Sequence, residues 1–481
     1  MGRFRIAERG ERLVYRIAGL PVALSGLWLL SQGTDGADLQ SLDAAFASRY
    51  WRPEGVGEVL ELAAAVVAWP VALVAGSLWY TARNSAAVRR RVGKGAARQI
   101  ADQLRLYFST GVLAPWYYIF SLDEDGEAER ARSFLQRFQT KTCLFVLLKP
   151  EKGSPLNDKA RFAQHCVDHG IRTVDVIMHL EGSIPGAALP DRDLFVKWSR
   201  GRGGRGAERW DRVAPFVYSG PGGRILSGDE LLKRLVRRSR DRALVVQPRL
   251  HPHPVFAEIT AGALPTARVV TCLNEAGEPE VIVSILRTSI GANRTVDNMH
   301  AGGIAAAVDI ESGRLSRASD LGTNSRLGWL SAHPDTGAPI EGLVLPYWEE
   351  TKRLAMNAHR VFRDRVVIGW DIAILDDGPI IIEGNGNPDM DIMQRFMRVG
   401  LRRHRLGELI AFHLKRLAER REDAFPPGET VLTCALDEAD RRHPHQRQAN
   451  AGRAGFGAQF PAQQPRQQRI RRSNPQRKRV S

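Results

Sequence analysis

The chain is poor in cysteine. Four occur in 481 residues, Cys143, Cys166, Cys272 and Cys434, and no two stand at metal-ligand spacing. That pattern argues against a disulfide framework or a cysteine zinc site and fits free thiols in a reducing compartment. No Ser/His/Asp or Cys/His arrangement is recognisable, so no covalent nucleophile from the polypeptide is expected. The one glycine-rich run lacks P-loop spacing. No internal repeat is apparent. What remains is ordinary for a globular protein: 43% apolar and 25% charged residues, with room for two or three domains.

The net charge of +16 suggests nucleic acid at first sight, but its distribution does not. Asp440 to Ser481 holds eleven Arg or Lys and a single acid, so ten of the sixteen charges sit in this tail. Rich in Gln, Pro, Arg and Gly, residues 426–481 read as a disordered, solvated basic appendage. Nucleic acid is not expected as a partner except through this tail.

At the other end, five arginines (Arg3, Arg5, Arg9, Arg12, Arg16) precede the apolar run 17–31, and Leu62–Tyr80 carries no charge at all. The stretch between is acidic, and Arg83, Arg89, Arg90, Arg91 and Lys94 follow. Two readings stay open for residues 1–96: a membrane hairpin with both ends cytoplasmic, or two buried helices of a soluble domain. A cleaved signal peptide fits less well, because no clean small-x-small site follows the first run. Residues 97–156 form a second, largely helical region with clustered aromatics from Tyr107 to Phe120. Within it, "CLFVLL" (143–148) reads as a strand. From Thr142 onward short strands alternate with helices, the pattern of an α/β or α+β body, taken as α+β with its main domain at 157–425. "NDKARFAQHCVDHG" (157–170) reads as a helix capped by Asn157 or Asp158 and closed by Gly170.

The densest chemistry lies in "VVIGWDIAILDDGPIIIEGNGNPDMD" (366–391), two apolar runs around an Asp-Asp-Gly turn. A three-residue loop at Asp376-Asp377-Gly378 sets Asp371 directly opposite Glu383. A two-residue loop at Asp377-Gly378 puts them on opposite faces. Like charges facing each other need compensation. With Asn385 on the face of Glu383, the three oxygens suit Mg²⁺ carried in by phosphates. The bland alternative is a hairpin whose acids face water.

Upstream, "DLFVKWSRGRGGRGAERW" (193–210) is a strand bearing Lys197 that opens into glycines interleaved with arginines. Such backbone can approach phosphates closely, and a lysine supplies a point charge for them. Lys159 is either a second such lysine or a plain surface residue. Arg268 and Arg287 sit on otherwise apolar strands and need a carboxylate or phosphate as partner. Asp297, Asn298 and His300 add polar groups nearby. His251 and His253, flanked by prolines, read as an ordered loop rather than metal ligands.

Taken in order, "LNDK", "RGRGG", "VVQPRL", "RVVT", "VDNMHAGGI" and "GWDIAILDDGPIIIEGN" resemble the ATP-grasp fold, and within it the sugar-transfer-associated family related to the α-L-glutamate ligase type. The resemblance covers roughly 157–418. It implies two α+β lobes clasping ATP. Lys159 and Lys197 would reach the phosphates, with Arg268 beside them. Arg200, Gly201, Gly203 and Gly204 would belong to a lid over them, and Gln247, Arg249 and Leu250 would line the adenine slot. Asp371, Glu383 and Asn385 would hold Mg²⁺, or Mn²⁺ in its place. Arg287, Lys197 and Asn298 would be catalytic. Many relatives carry an acid where Gln247 or Arg249 stands, and some carry an arginine where Gly369 stands.

The reaction so implied joins a carboxylate to an amine through an acyl phosphate, on small-molecule or saccharide-linked substrates of envelope or exopolysaccharide metabolism. The location implied is the cytoplasm or the cytoplasmic face of the inner membrane. A phosphotransferase on the same fold, or a non-catalytic membrane-tethered ATP-binding protein, are the competing readings.

Overall fold

The computed structural model describes residues 55–422, apart from 125–127, 148–153, 184–185, 187, 202–203, 205, 292–294, 296, 298, 300–301 and 324–326. The apolar run 17–31 and the basic tail 426–481 lie outside the described residues.

A long helix, α1 (Val56–Val92), takes in the second apolar run with Pro70 inside it. Gly93 ends it in the left-handed region, its N–H bonded to the Arg89 carbonyl. Then come α2 (Ala96–Thr110), α3 (Ala114–Ile119), α4 (Ala128–Ala131) and α5 (Arg137–Val146). Helix α5 overturns the strand expected at 143–148. Its start is set by Gln139, whose side-chain oxygen accepts from the Gln136 N–H at 2.9 Å. Cys143, Leu144 and Val146 then pack into the core as helix residues. A short apolar run has no periodicity that separates a buried helix from a buried strand.

Two six-stranded antiparallel sheets follow among the described residues. The first has the order β1-β6-β2-β3-β4-β5, from β1 (Met178–Leu180), β2 (Leu194–Trp198), β3 (Glu208–Ala214), β4 (Val217–Gly220), β5 (Arg224–Ser227) and β6 (Leu244–Pro248). Helix α6 (Lys159–Asp168) precedes it, and α7 (Gly228–Ser239) packs Leu231, Leu235 and Val236 against its Trp210 and Tyr218.

The second sheet has the order β10-β9-β8-β7-β11-β12. Its strands are β7 (Thr266–Leu273), β8 (Pro279–Thr288), β9 (Ile304–Val308), β10 (Leu315–Ser319), β11 (Val367–Leu375) and β12 (Gly378–Asn385). Helix α8 (Trp348–Val361) joins the core on one side of it, where Ala355 and Ala358 cluster with Ile368, Trp370 and Ile372. Helices α5, α9 (Met390–Met397) and α10 (Arg405–Glu422) join the other core, around Val270, Val283 and Val367. Strand β11 is therefore buried from Val367 to Ile374, which explains its nearly unbroken apolar run.

The β11–β12 hairpin reaches the expected pairing by a different route. Its loop is Asp376-Asp377, with Leu375 opposite Gly378 and Ile374 opposite Pro379. A register shift then leaves Ile382 as an extra residue, so that Ile372 faces Ile381 but Asp371 faces Glu383.

Asp158 joins α6 to the first sheet. Its carboxylate caps the helix by accepting from the Ala160 and Arg161 N–H groups, and also accepts from Ser199 Oγ and Arg200 Nε, both at 2.8 Å. Burial opposes the charge, but these donors hold Asp158 below its ordinary range. Asp158→Ala is expected to cost about 1–2 kcal/mol, read as a lowered thermal midpoint. Asp158→Asn keeps the cap and should cost less; equal losses would assign the whole effect to Arg200.

Candidate active site

The site grows from one cross-strand row in the second sheet. Arg268 on β7 stands directly opposite Asp371 on β11, and Asp371 stands opposite Glu383 on β12. Arg287 on β8 faces Thr266, two residues from Arg268. Arg268 grips Asp371 through two bonds, Nε to Oδ1 and Nη2 to Oδ2. Arg287 Nη2 lies 3.1 Å from the same Oδ2 and its Nε 3.3 Å from Asp297 Oδ2. Thr266 Oγ1 donates to Asp297. Burial pushes the Asp297 carboxyl above its ordinary range, against the pull of Arg287.

Two lysines complete the row from the other side. Lys159 begins α6 because Asp158 caps that helix, and its N–H bonds the Ser199 carbonyl at 2.9 Å, beside the end of β2. Its Nζ lies 3.4 Å from Glu383 Oε2 and donates to the Gly201 carbonyl at 3.0 Å. Lys197 is buried on β2. Burial brings its pKa down from 10.5 to about 8; Lys159 lowers it too, while Glu383 and Asp371 support the charge. Burial works against the Glu383 charge, but Lys159 and Lys197, then Arg268 and Arg287, hold it well below the carboxylate range. Four cations thus meet three carboxylates, an excess of positive charge that suits a polyanion.

The Gly/Arg segment leaves β2 immediately after this point. Gly201, Gly204 and Gly206 have positive φ. A Cβ on Gly206 would lie 2.5 Å from the Trp198 ring, so glycine lets the segment lie flat on that ring, which Arg242 covers at 4.5 Å from its centroid. Arg200 is held by Asp158. Gly203 lies outside the described residues, as does Asn298.

Gln247 is buried on β6 with its Nε2 3.4 Å from the Val174 carbonyl. Arg249 does not point a free guanidinium into a slot. It is held by Asp211 Oδ1 at 2.6 Å and Asp193 Oδ2 at 3.3 Å. Those two acids were missed from sequence, since only strand register brings them beside Arg249. Leu250 packs with Val174, Ala373 and Ile380, the last two from the second sheet, so the segment 247–250 crosses between the lobes.

Among the described residues no group of three or more His, Cys, Asp or Glu gathers as a metal cluster. The available hard-oxygen set is Asp371, Glu383 and the Asn385 amide, whose buried Nδ2 has no hydrogen-bond partner. Its chemistry fits Mg²⁺, with the protein's own cations holding the two carboxylates in this structure. Gly369 also has a local reason: a Cβ there would lie 3.2 Å from Arg268 Cδ and 3.0 Å from Pro388 Cβ. Arg268 fills the space that a side chain at 369 would need.

Removing Arg268 strips Asp371 of two of its charged hydrogen bonds in a buried setting. Arg268→Met is expected to cost about 3 kcal/mol, and adding Asp371→Asn should recover part of the loss. Additive losses in thermal unfolding would show that the two residues are not coupled.

Residues 148–408 match the family described as sugar-transfer associated ATP-grasp. No curated protein matches. Among solved structures, the chain is similar to a D-alanine–D-alanine ligase from Bacillus anthracis complexed with ATP, at 13% identity and TM-score 0.31, covering 55% of this chain and 68% of that one. It is also similar to an L-amino acid ligase from Bacillus licheniformis, at 11% identity and TM-score 0.30, covering 58% and 52%. A third is N5-carboxyaminoimidazole synthase from Aspergillus clavatus, at 10% identity and TM-score 0.29, covering 60% and 65%. These likenesses are too distant to say what this chain acts on. The family match spans more than half of the chain, and the chain belongs to the sugar-transfer associated ATP-grasp family.

Proposed function

We propose that the protein is an ATP- and Mg²⁺-dependent carboxylate–amine ligase working through an acyl phosphate, on a small-molecule or saccharide-linked substrate of envelope metabolism. One observation carries the reading: Lys197 from the first sheet and Lys159, at the start of a helix that packs on the second sheet's core, meet Arg268, Arg287, Asp371 and Glu383 of the second sheet in a single charged cluster.

In this reading Lys159 and Lys197 hold the ATP phosphates, the Arg200–Gly206 segment covers them, and the backbone of 247–250 meets the adenine. Asp371, Glu383 and Asn385 would hold Mg²⁺, which neutralises phosphate charge when bound. A substrate carboxylate oxygen attacks the γ-phosphorus, and the bond to the β-phosphate oxygen breaks, releasing ADP. Arg287, fixed between Asp297 and Asp371, offsets the charge of the transferring phosphoryl group. An amine then attacks the acyl carbon, loses a proton, and phosphate leaves as the amide forms. No protein nucleophile is required.

The deciding experiment measures ADP and free phosphate against a panel of carboxylates paired with amines. Release of both that depends on carboxylate and amine together is expected. ADP without free phosphate, with phosphate retained on an alcohol or sugar, would make the protein a kinase instead.

The Lys197 environment adds a pH dependence. Its folded pKa, about 8, lies below the unfolded value of 10.5. The unfolded chain therefore binds more protons between these values, and Lys197 contributes stability that rises with pH across that window. Nucleotide phosphates favour the charged form, so binding takes up a proton above pH 8. Affinity for ATP should then weaken with rising pH by up to about tenfold per unit. In Lys197→Arg, which stays charged, this dependence should vanish. Isothermal titration in buffers of different ionisation enthalpy reads both effects; identical pH profiles would exclude Lys197 as the phosphate ligand.

A further inference from the structure

Helix α1 leaves a broad apolar face uncovered. Its outward side carries Val67, Val71 and Val74 at 77%, 72% and 51% exposure, with Val56, Val59, Leu60, Leu78 and Trp79 also exposed. Its inward side buries the polar Ser77, Thr81 and Asn84 almost completely, beside Ala65, Leu73 and Val88. Folding in water drives the opposite arrangement, and an apolar surface of this extent marks contact with another apolar phase.

We infer that the outward face of α1 is covered by the hydrocarbon of a lipid bilayer, which the helix crosses, with its basic end on the cytoplasmic surface. Three observations select lipid. The stretch Leu62–Tyr80 carries no charge, and at helical rise it extends about 28 Å, close to a hydrocarbon core of about 30 Å. The two flanks differ in sign: Glu54, Glu58 and Glu61 precede the stretch, and Arg83, Arg89, Arg90, Arg91 and Lys94 follow, as the cytoplasmic flank of a span does. Trp79 and Tyr80 mark the boundary, where Arg83 lies 5.6 Å over the Trp79 ring. Pro70 within the span is tolerated in such helices.

The helix does not stop at the surface. It runs on unbroken into the catalytic body. Asn84 Nδ2 donates to the Thr323 carbonyl at 3.1 Å, and Arg91 pairs with Asp123. Thr81 Oγ1 accepts from Gln103 Nε2 at 2.8 Å, and Tyr118 OH donates to Gln99 at 3.0 Å. Buried Arg395 on α9 then ties the Ile119 carbonyl to Ser319 Oγ on β10, both at 2.7 Å. Within the span itself Trp69 stacks on Tyr107 at the end of α2, 5.6 Å between ring centroids, so α2 follows the span and fixes the body close against it. This inference stands whether or not the ligase reading does.

The test uses the full chain in cells. It is expected to sediment with membranes, to resist alkaline carbonate and to come out only in detergent. The triple variant Val67→Glu, Val71→Glu, Val74→Glu should move to the soluble fraction with an unchanged thermal midpoint, since those side chains touch little within the fold. The matching Leu triple should stay in the membrane. Recovery of the native chain without detergent as a monomer overturns the inference. So does a soluble dimer that the Glu triple dissociates, because the face then belongs to a second copy.

Discussion

Everything in the second lobe is arranged around one constraint: two carboxylates, Asp371 and Glu383, face each other on adjacent strands, and Asp371 lies in a strand buried along nearly its whole length. Bare carboxylates in that position would repel and would be poorly solvated. Arg268 and Arg287 answer the first and Lys159 the second. Lys159 begins a helix that packs on the second sheet's core through Phe162 and Cys166, and its N–H bonds the Ser199 carbonyl at the end of β2, so the group that neutralises Glu383 sits where the two sheets meet.

The geometry of that row rests on a single irregularity. A two-residue turn alone would have matched Asp371 with Ile382 and turned Glu383 away. The extra residue at Ile382 restores the pairing, an instance of a bulge re-aiming a side chain, here into the charged row. Gly369 and Gly384 serve the same end by absence of side chain. The first leaves room for Arg268, and the second lets Leu156 and Trp370 close over β12.

The N-terminal helices extend the logic outward. Their buried polar groups do not form a separate core; they link α1 through Tyr118 and Arg395 to the edge of the catalytic sheet. Burial pulls the Arg395 pKa down to about 10, with Asp320 supporting its charge. A side chain kept charged at such cost, with five hydrogen bonds to two segments, 118–121 and 319–320, acts as a rigid joint.

The sequence by itself determined the local pieces. The α6 helix and its Asp158 cap, the β11–β12 hairpin, the strand bearing Lys197 and the glycine-rich exit from it all depend on residues close in the chain, and their patterns are periodic or capped. The two-lobe α+β architecture was an expectation of another kind, implied by the resemblance of those pieces, in their order, to the ATP-grasp fold. Tertiary structure alone decided the rest. Arg268 and Asp371 are 103 residues apart, and their pairing exists only because β7 and β11 meet in one register. The same holds for Asp193 and Asp211 around Arg249, which turn an expected slot residue into an ion-pair hub. Residues 143–146, strand-like by composition, became helix because a capping box and the sheet beneath them favoured it. Local sequence carries propensity and spacing; which charges touch, and which apolar faces are covered, depends on register and packing that no short window contains.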